Sequence, residues 1–117
     1  MRHQVKSTKI NRDTAQLKAL IRSLSTSLIV SWTIETTKVK AKLTASAVDK
    51  MIARTKWKDK MNAIRYLKKR LYDNEASRII LDELHEKYKD RQSWFTRIVK
   101  LWARAWDWAE KVVLQFV

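Results

Sequence analysis

The sequence predicts an α+β domain, and three observations carry that expectation. Apolar residues recur at helical spacing over four stretches between positions 13 and 89. At 33–37 the period changes to two: Trp32, Ile34 and Thr36 alternate with polar residues, which suits a short half-buried strand. Finally, 95–101 and 111–116 are rich in the β-branched and aromatic side chains that favour strands.

The first element is an arm. Residues 1–12 carry Arg2, Lys6, Lys9 and Arg12, no acid and no helical period, and read as an extended basic segment. Asp13 or Thr14 can cap the first helix, in which Leu17, Leu20, Ile21, Leu24 and Leu28 recur through about Ser31. Lys18 and Arg22 lie four apart and project from one side of it. After the strand, Thr37 can cap a second helix, because its hydroxyl can accept from the free N–H groups of the first turn. That helix spans about 38–57, with Leu43, Ala47, Met51 and Arg54 along one row and Val39, Val48, Ile52 and Thr55 beside it. Lys38, Lys40 and Lys42 sit in its first turns, where a helix dipole favours anions. Three cations there carry a local cost that a bound polyanion would offset. A third helix begins near Asp59, with Met61, Ile64, Leu67 and Leu71 in register. A fourth, capped by Asn74, runs to about Lys89 with Ile79, Ile80, Leu84 and Tyr88 facing inward.

The C-terminus admits two readings. Phe95, Ile98, Trp102, Ala105, Ala109, Val112 and Phe116 recur at alternating threes and fours, so 94–117 also fits one amphipathic helix and an all-α fold. The strand at 33–37 decides between them. Its backbone groups need partners, and only the C-terminal segments are available, so 95–101 and 111–116 are expected as antiparallel strands joined by a loop at 102–110.

Charge points to the partner. The 117 residues include 26 Lys and Arg against 12 Asp and Glu, a net of +14 with a pI of about 10.3. Residues 38–70 hold 12 basic and 2 acidic side chains, whereas 71–90 hold 3 and 6. A basic half beside an acidic end is the footprint of one docking face for a polyanion, with nucleic acid first and an anionic membrane surface second. No apolar run approaches the roughly 18 residues of a membrane span.

Catalytic chemistry is not expected. There is no Cys, hence no disulfide, thiolate metal site or cysteine nucleophile. Without Gly there is no glycine-rich phosphate loop. His3 and His85 are far apart. His85, among Asp82, Glu83 and Glu86, reads as an exposed helical histidine rather than a metal ligand. We expect no enzyme, no cofactor, no metal and no small-molecule substrate. The six Trp read first as core aromatics, then as platforms for unpaired bases, then as replacements that fill space. The chain also lacks Pro, although ordinary usage predicts about 8 Gly and about 6 Pro in this length, so the sequence reads as designed or recoded.

The order of residues resembles the bacterial large-subunit ribosomal protein seventeen family over nearly the whole chain. Met1-Arg2-His3 and Asn11-Arg12 are similar to its opening, and Arg22, Leu24 and Ser27-Leu28-Ile29 fall in its first helix. The longest match is Ile34, Thr36, Thr37, Lys40, Ala41 and Lys42, followed at the family's distance by Asp49, Met51 and Ile52. Arg91, Phe95-Thr96-Arg97-Ile98, Leu101, Arg104, Asp107 and Ala109 are similar to its closing block. The departures are Gln92, Ser93 and Trp94, where the family has Pro-Gly-Gly or similar, and Trp102 and Trp106, where it has glycine. The resemblance implies one two-layer domain over 1–117, ordered helix, strand, three helices, two strands. It implies a structural constituent of the large subunit of the cytoplasmic ribosome, bound to ribosomal RNA near the exit side of the polypeptide tunnel beside neighbouring large-subunit proteins. The residues expected to hold RNA are Arg2, His3, Lys6, Lys9, Arg12, Lys18, Arg22, Lys38, Lys40, Lys42, Arg97 and Arg104. The alternative is an engineered basic protein that keeps the fold but not ribosome assembly, and adheres to anionic surfaces through its Trp-rich end.

Overall fold

The computed structural model describes residues 12–117. Its elements are α1 (Thr14–Ser31), β1 (Thr33–Thr37), α2 (Lys38–Thr55), α3 (Lys60–Lys68), α4 (Asn74–Ile79), a π-helical turn (Ile80–Leu84), α5 (His85–Lys87), β2 (Thr96–Lys100) and β3 (Lys111–Phe116). This is the expected α+β order. The expected basic arm, 1–12, lies outside the described residues except for Arg12.

The three strands form one antiparallel sheet in the order β1-β3-β2. Ile34 and Ile98 both pair with Leu114, and Thr36 and Lys100 both pair with Val112. The strand at 33–37 therefore finds its partner in the C-terminal segment, and the single-helix alternative for 94–117 is excluded. Period-two burial follows: Val112, Leu114 and Phe116 are buried, while Lys111, Val113 and Gln115 between them are half-buried. The helices form the second layer, with α2 packed against all three strands. Leu28 and Ile29 of α1, Val48, Met51 and Ile52 of α2, Leu67, Ile80, Leu84 and Phe95 fill the space between the layers.

Aspartates begin the helices. Asp13 accepts from Gln16 N at 2.7 Å, Asp59 from Asn62 N at 3.3 Å, and Asp73 from Glu75 N at 3.0 Å. A carboxylate satisfies a free N–H and also faces the positive end of the helix dipole. Asp73 thus takes the cap expected of Asn74. Thr37 stands at the N-cap of α2, but its hydroxyl makes no capping bond. Met61, expected to face inward, is exposed; the fully buried residues of short α3 are Ala63 and Leu67. Trp32 is not part of the strand. It ends α1 in the left-handed region (φ 68°), with its N–H donating to Leu28 O at 2.7 Å.

Polar contacts tie the helices to one another and to the C-terminal strands. Tyr88 shares its hydroxyl proton between Val117 O (2.9 Å) and Phe95 O (3.2 Å). Lys56 Nζ donates to the carbonyls of Tyr88 and Arg91. His85 is half-buried rather than exposed. The hydroxyl of Thr55 donates to Met51 O at 2.7 Å, so His85 Nε2, 2.8 Å away, is the donor to Thr55 Oγ1. Burial pulls the His85 pKa below its ordinary value, and the charge on Lys56 adds to the effect. Below an ordinary histidine pKa the unfolded chain takes up a proton that the folded chain resists. Stability is therefore expected to fall as pH drops from 7 towards 5. Replacing His85 by glutamine should flatten that part of a pH series of urea melts, and an unchanged slope would assign it to other groups.

Candidate nucleic-acid interface

Two helices carry the same short pattern, Lys-x-x-x-Arg. On α1 it is Lys18 and Arg22, and on α2 it is Lys50 and Arg54. Four residues make about one helical turn, so each pair stands on one face of its helix. α1 packs on α2, and both faces open on a cleft of about 840 Å³. The segment from α3 into the following turn adds Tyr66, Lys69, Arg70 and Tyr72 to the lining. Its floor is made by small or apolar side chains, among them Ala15, Ala19, Leu43 and Ala47. Six cations thus line one concavity whose described lining contains no Asp or Glu. A concave, low-dielectric wall of one sign focuses the field and draws in counter-charge.

Local contacts hold these groups in place. Arg22 Nη2 donates to Lys68 O (3.1 Å) and Leu71 O (2.9 Å), closing the C-terminal end of α3 against α1. Its guanidinium also lies 4.3 Å from the centre of the Tyr72 ring. Arg22 Nε is buried and has no partner among the described residues. Arg70 lies 4.0 Å from the Tyr66 ring centre. Stacking on tyrosine leaves the in-plane N–H donors of an arginine free for another acceptor. The described residues form three ion pairs, Lys38–Glu110, Arg104–Asp107 and Lys111–Glu35, and no cleft cation takes part.

The residues expected to bind RNA are scattered by the fold. Lys18 and Arg22 enter the cleft. Arg12 is exposed just ahead of α1. Lys38, Lys40 and Lys42 lie at the start of α2, outside the cleft lining; Lys38 is held by Glu110 at 3.2 Å, Lys40 is half-buried and Lys42 is exposed. Arg97 stands on the outer face of the sheet beside Gln115, its partner across the strands. Arg104 is engaged by Asp107 through two bonds, Nε to Oδ1 at 3.1 Å and Nη2 to Oδ2 at 2.6 Å, at the tip of the hairpin. Arg2, His3, Lys6 and Lys9 lie outside the described residues. Lys50, Arg54, Lys69, Arg70 and the two tyrosines were missed. The available signal was the second Lys-x-x-x-Arg, which repeats on α2 the spacing already noted on α1.

No helix of the described residues is long and apolar enough to cross a membrane, and no group of three or more potential metal ligands occurs among them.

Comparison with known proteins gives a consistent picture. The family model for ribosomal protein L17 matches residues 20–117. A large ribosomal subunit protein bL17 from Pelodictyon phaeoclathratiforme is 38% identical over 117 residues, spanning 100% of this chain and 76% of its own length. The protein of the same name from Nautilia profundicola is 36% identical over 121 residues, covering 100% of this chain and 98% of the relative. That from Staphylococcus epidermidis is 39% identical over 118 residues, covering 93% and 97%.

Proposed function

This chain belongs to the ribosomal protein L17 family, and from that membership we propose that it is a structural constituent of the large ribosomal subunit of the cytoplasmic ribosome, not an enzyme. Its partners on this reading are large-subunit ribosomal RNA and the proteins beside it. We further propose that the cleft between α1, α2 and α3 is where RNA docks. The observation that carries this is the lining: six cations and, among the described residues, no acid and no ion pair to satisfy them. Lys50, Arg54, Lys69 and Arg70 neutralise phosphates. Lys18 joins them, and Arg22 chiefly fixes α3 while its Nε, which has no partner among the described residues, is left for an acceptor. Tyr66 and Tyr72 offer ring faces backed by arginine, on which an unpaired base can stack. The basic arm and the cations of the α2 start add contacts along the same RNA.

The test is the salt dependence of binding. A fragment of large-subunit ribosomal RNA is titrated with the full chain at several salt concentrations. If about six phosphates are neutralised, the slope of log affinity against log salt is expected near −4 to −5. A slope shallower than about −2 would remove the phosphate-binding role of the cleft.

A further inference from the structure

The chain contains no glycine, yet its fold calls for glycine in three places. Three described residues have positive φ: Trp32 at 68°, Trp94 at 60° and Trp108 at 56°. All three are tryptophan. The left-handed region brings Cβ against the following carbonyl, and a bulky residue there is a genuine outlier. Trp32 occupies the C-cap of α1, with the backbone bond to Leu28 O that commonly marks a glycine. Trp108 closes a tight turn, its N–H donating to Arg104 O at 2.9 Å while Arg104 N–H donates to Ala109 O at 3.0 Å. Trp94 stands at the entry to β2.

The remaining tryptophans have the same surroundings. Trp57 lies in the turn between α2 and α3, and Trp102 and Trp106 lie in the loop of the β2–β3 hairpin. Trp57, Trp94, Trp102, Trp106 and Trp108 are 76 to 88% exposed. Tryptophan is normally well covered by its neighbours. The other aromatics of this chain behave conventionally, with Phe95, Phe116 and Tyr88 all buried. The expectation that the tryptophans form the core is therefore overturned: five of the six are in solvent. No tryptophan sits mid-helix or mid-strand, and none is fully buried.

We infer that the protein, as its own cell makes it, carries glycine at positions 32, 57, 94, 102, 106 and 108. The chemical origin is a codon that one genetic code reads as tryptophan and another as glycine, as UGA can be. A gene that uses such a codon for its glycines, read under the wrong code, shows no glycine and places tryptophan only at turns. One consequence rests on the RNA reading given above. With glycine at 102, 106 and 108, the hairpin tip loses its apolar surface and presents bare backbone beside Lys100 and Arg104, where a phosphate can come close.

The experiment compares two full-length chains, the sequence as read and W32G/W57G/W94G/W102G/W106G/W108G, by thermal melting followed by circular dichroism. Relief of three left-handed tryptophans is expected to raise the melting temperature by about 10 °C or more. The gain should reside in W32G/W94G/W108G, because those three carry the positive φ. Equal or lower melting of the six-glycine chain overturns the inference. So does a gain that comes only from W57G/W102G/W106G. Peptide mass spectrometry of the native protein from its own cells reads the positions directly. Glycine masses at the six sites support the inference and tryptophan masses overturn it. If the six-glycine chain melts higher but binds the RNA fragment no better, the consequence for the hairpin tip falls and the glycine assignment stands.

Discussion

Phe95→Ala is expected to lower the melting temperature by roughly 15–25 °C. Phe95 has no exposed surface and lies between the layers, with its ring 5.1 Å from that of Tyr88 and under Lys56 Nζ at 4.9 Å. Truncating a buried phenylalanine to alanine typically costs about 3–5 kcal/mol, from lost transfer energy and from the cavity left behind. Here the cavity would open where three separate segments meet. The Phe95 carbonyl accepts from Tyr88 Oη and from Val117 N, and the neighbouring Thr96 hydroxyl donates to Asp49 at 3.4 Å. The Asp49 carboxyl is held above the usual carboxylate range by burial, and its bonds to Thr96 and Phe95 oppose that rise. A shift of the Phe95 segment would disturb these bonds as well, so little relaxation is available to shrink the cavity. Phe95→Leu retains much of the volume and should lose markedly less. Scanning calorimetry of the two variants checks the ranking; a Phe95→Ala chain that melts with the parent would remove Phe95 from the core.

The helices and their inward faces were legible because each is long enough for a 3.6-residue period to repeat, as Leu28, Val48, Ile52, Leu67, Ile80 and Leu84 show. The hairpin was harder. Residues 94–117 satisfy both a heptad and a strand pattern, and local propensities nearly cancel. What separated the readings was an obligation elsewhere, the unpaired backbone of 33–37, which β3 meets along one edge while β2 pairs with the far edge of β3. The cap at Asn74 misled because the carboxylate of Asp73, one residue earlier, takes the bond, whereas Thr37 holds the N-cap position of α2 without its hydroxyl making the capping bond. The binding residues were half legible. Lys18 and Arg22 announced a face by their spacing, but which face of α2 would meet it depends on how the two helices cross, and no local pattern records that. The start of α2 attracted attention because three lysines, Lys38, Lys40 and Lys42, crowd into five positions of its sequence. Yet Lys38 is neutralised by Glu110, a residue 72 positions away that only the fold brings near.

Reversing two charges in the cleft, Lys50→Glu together with Arg54→Glu, is expected to weaken binding of the large-subunit RNA fragment by about 100-fold at 0.1 M salt. Two phosphate contacts are lost, and each that goes removes nearly one released counterion from the salt dependence, so the log–log slope should become shallower by roughly 1.5–2. Both side chains are exposed, and neither takes part in the ion pairs formed among the described residues. Folding stability should therefore change little, about 0.5 kcal/mol per site. The comparison that gives the measurement its meaning is Arg78→Glu with Lys89→Glu. It makes the same change in net charge at two exposed positions outside the cleft. A general attraction between a chain of net charge +14 and a polyanion would respond alike to both pairs. Docking in the cleft requires the α2 pair to cost at least ten times more than the control pair. Equal losses would return the RNA to the diffuse positive field of the whole molecule and leave the cleft without a role.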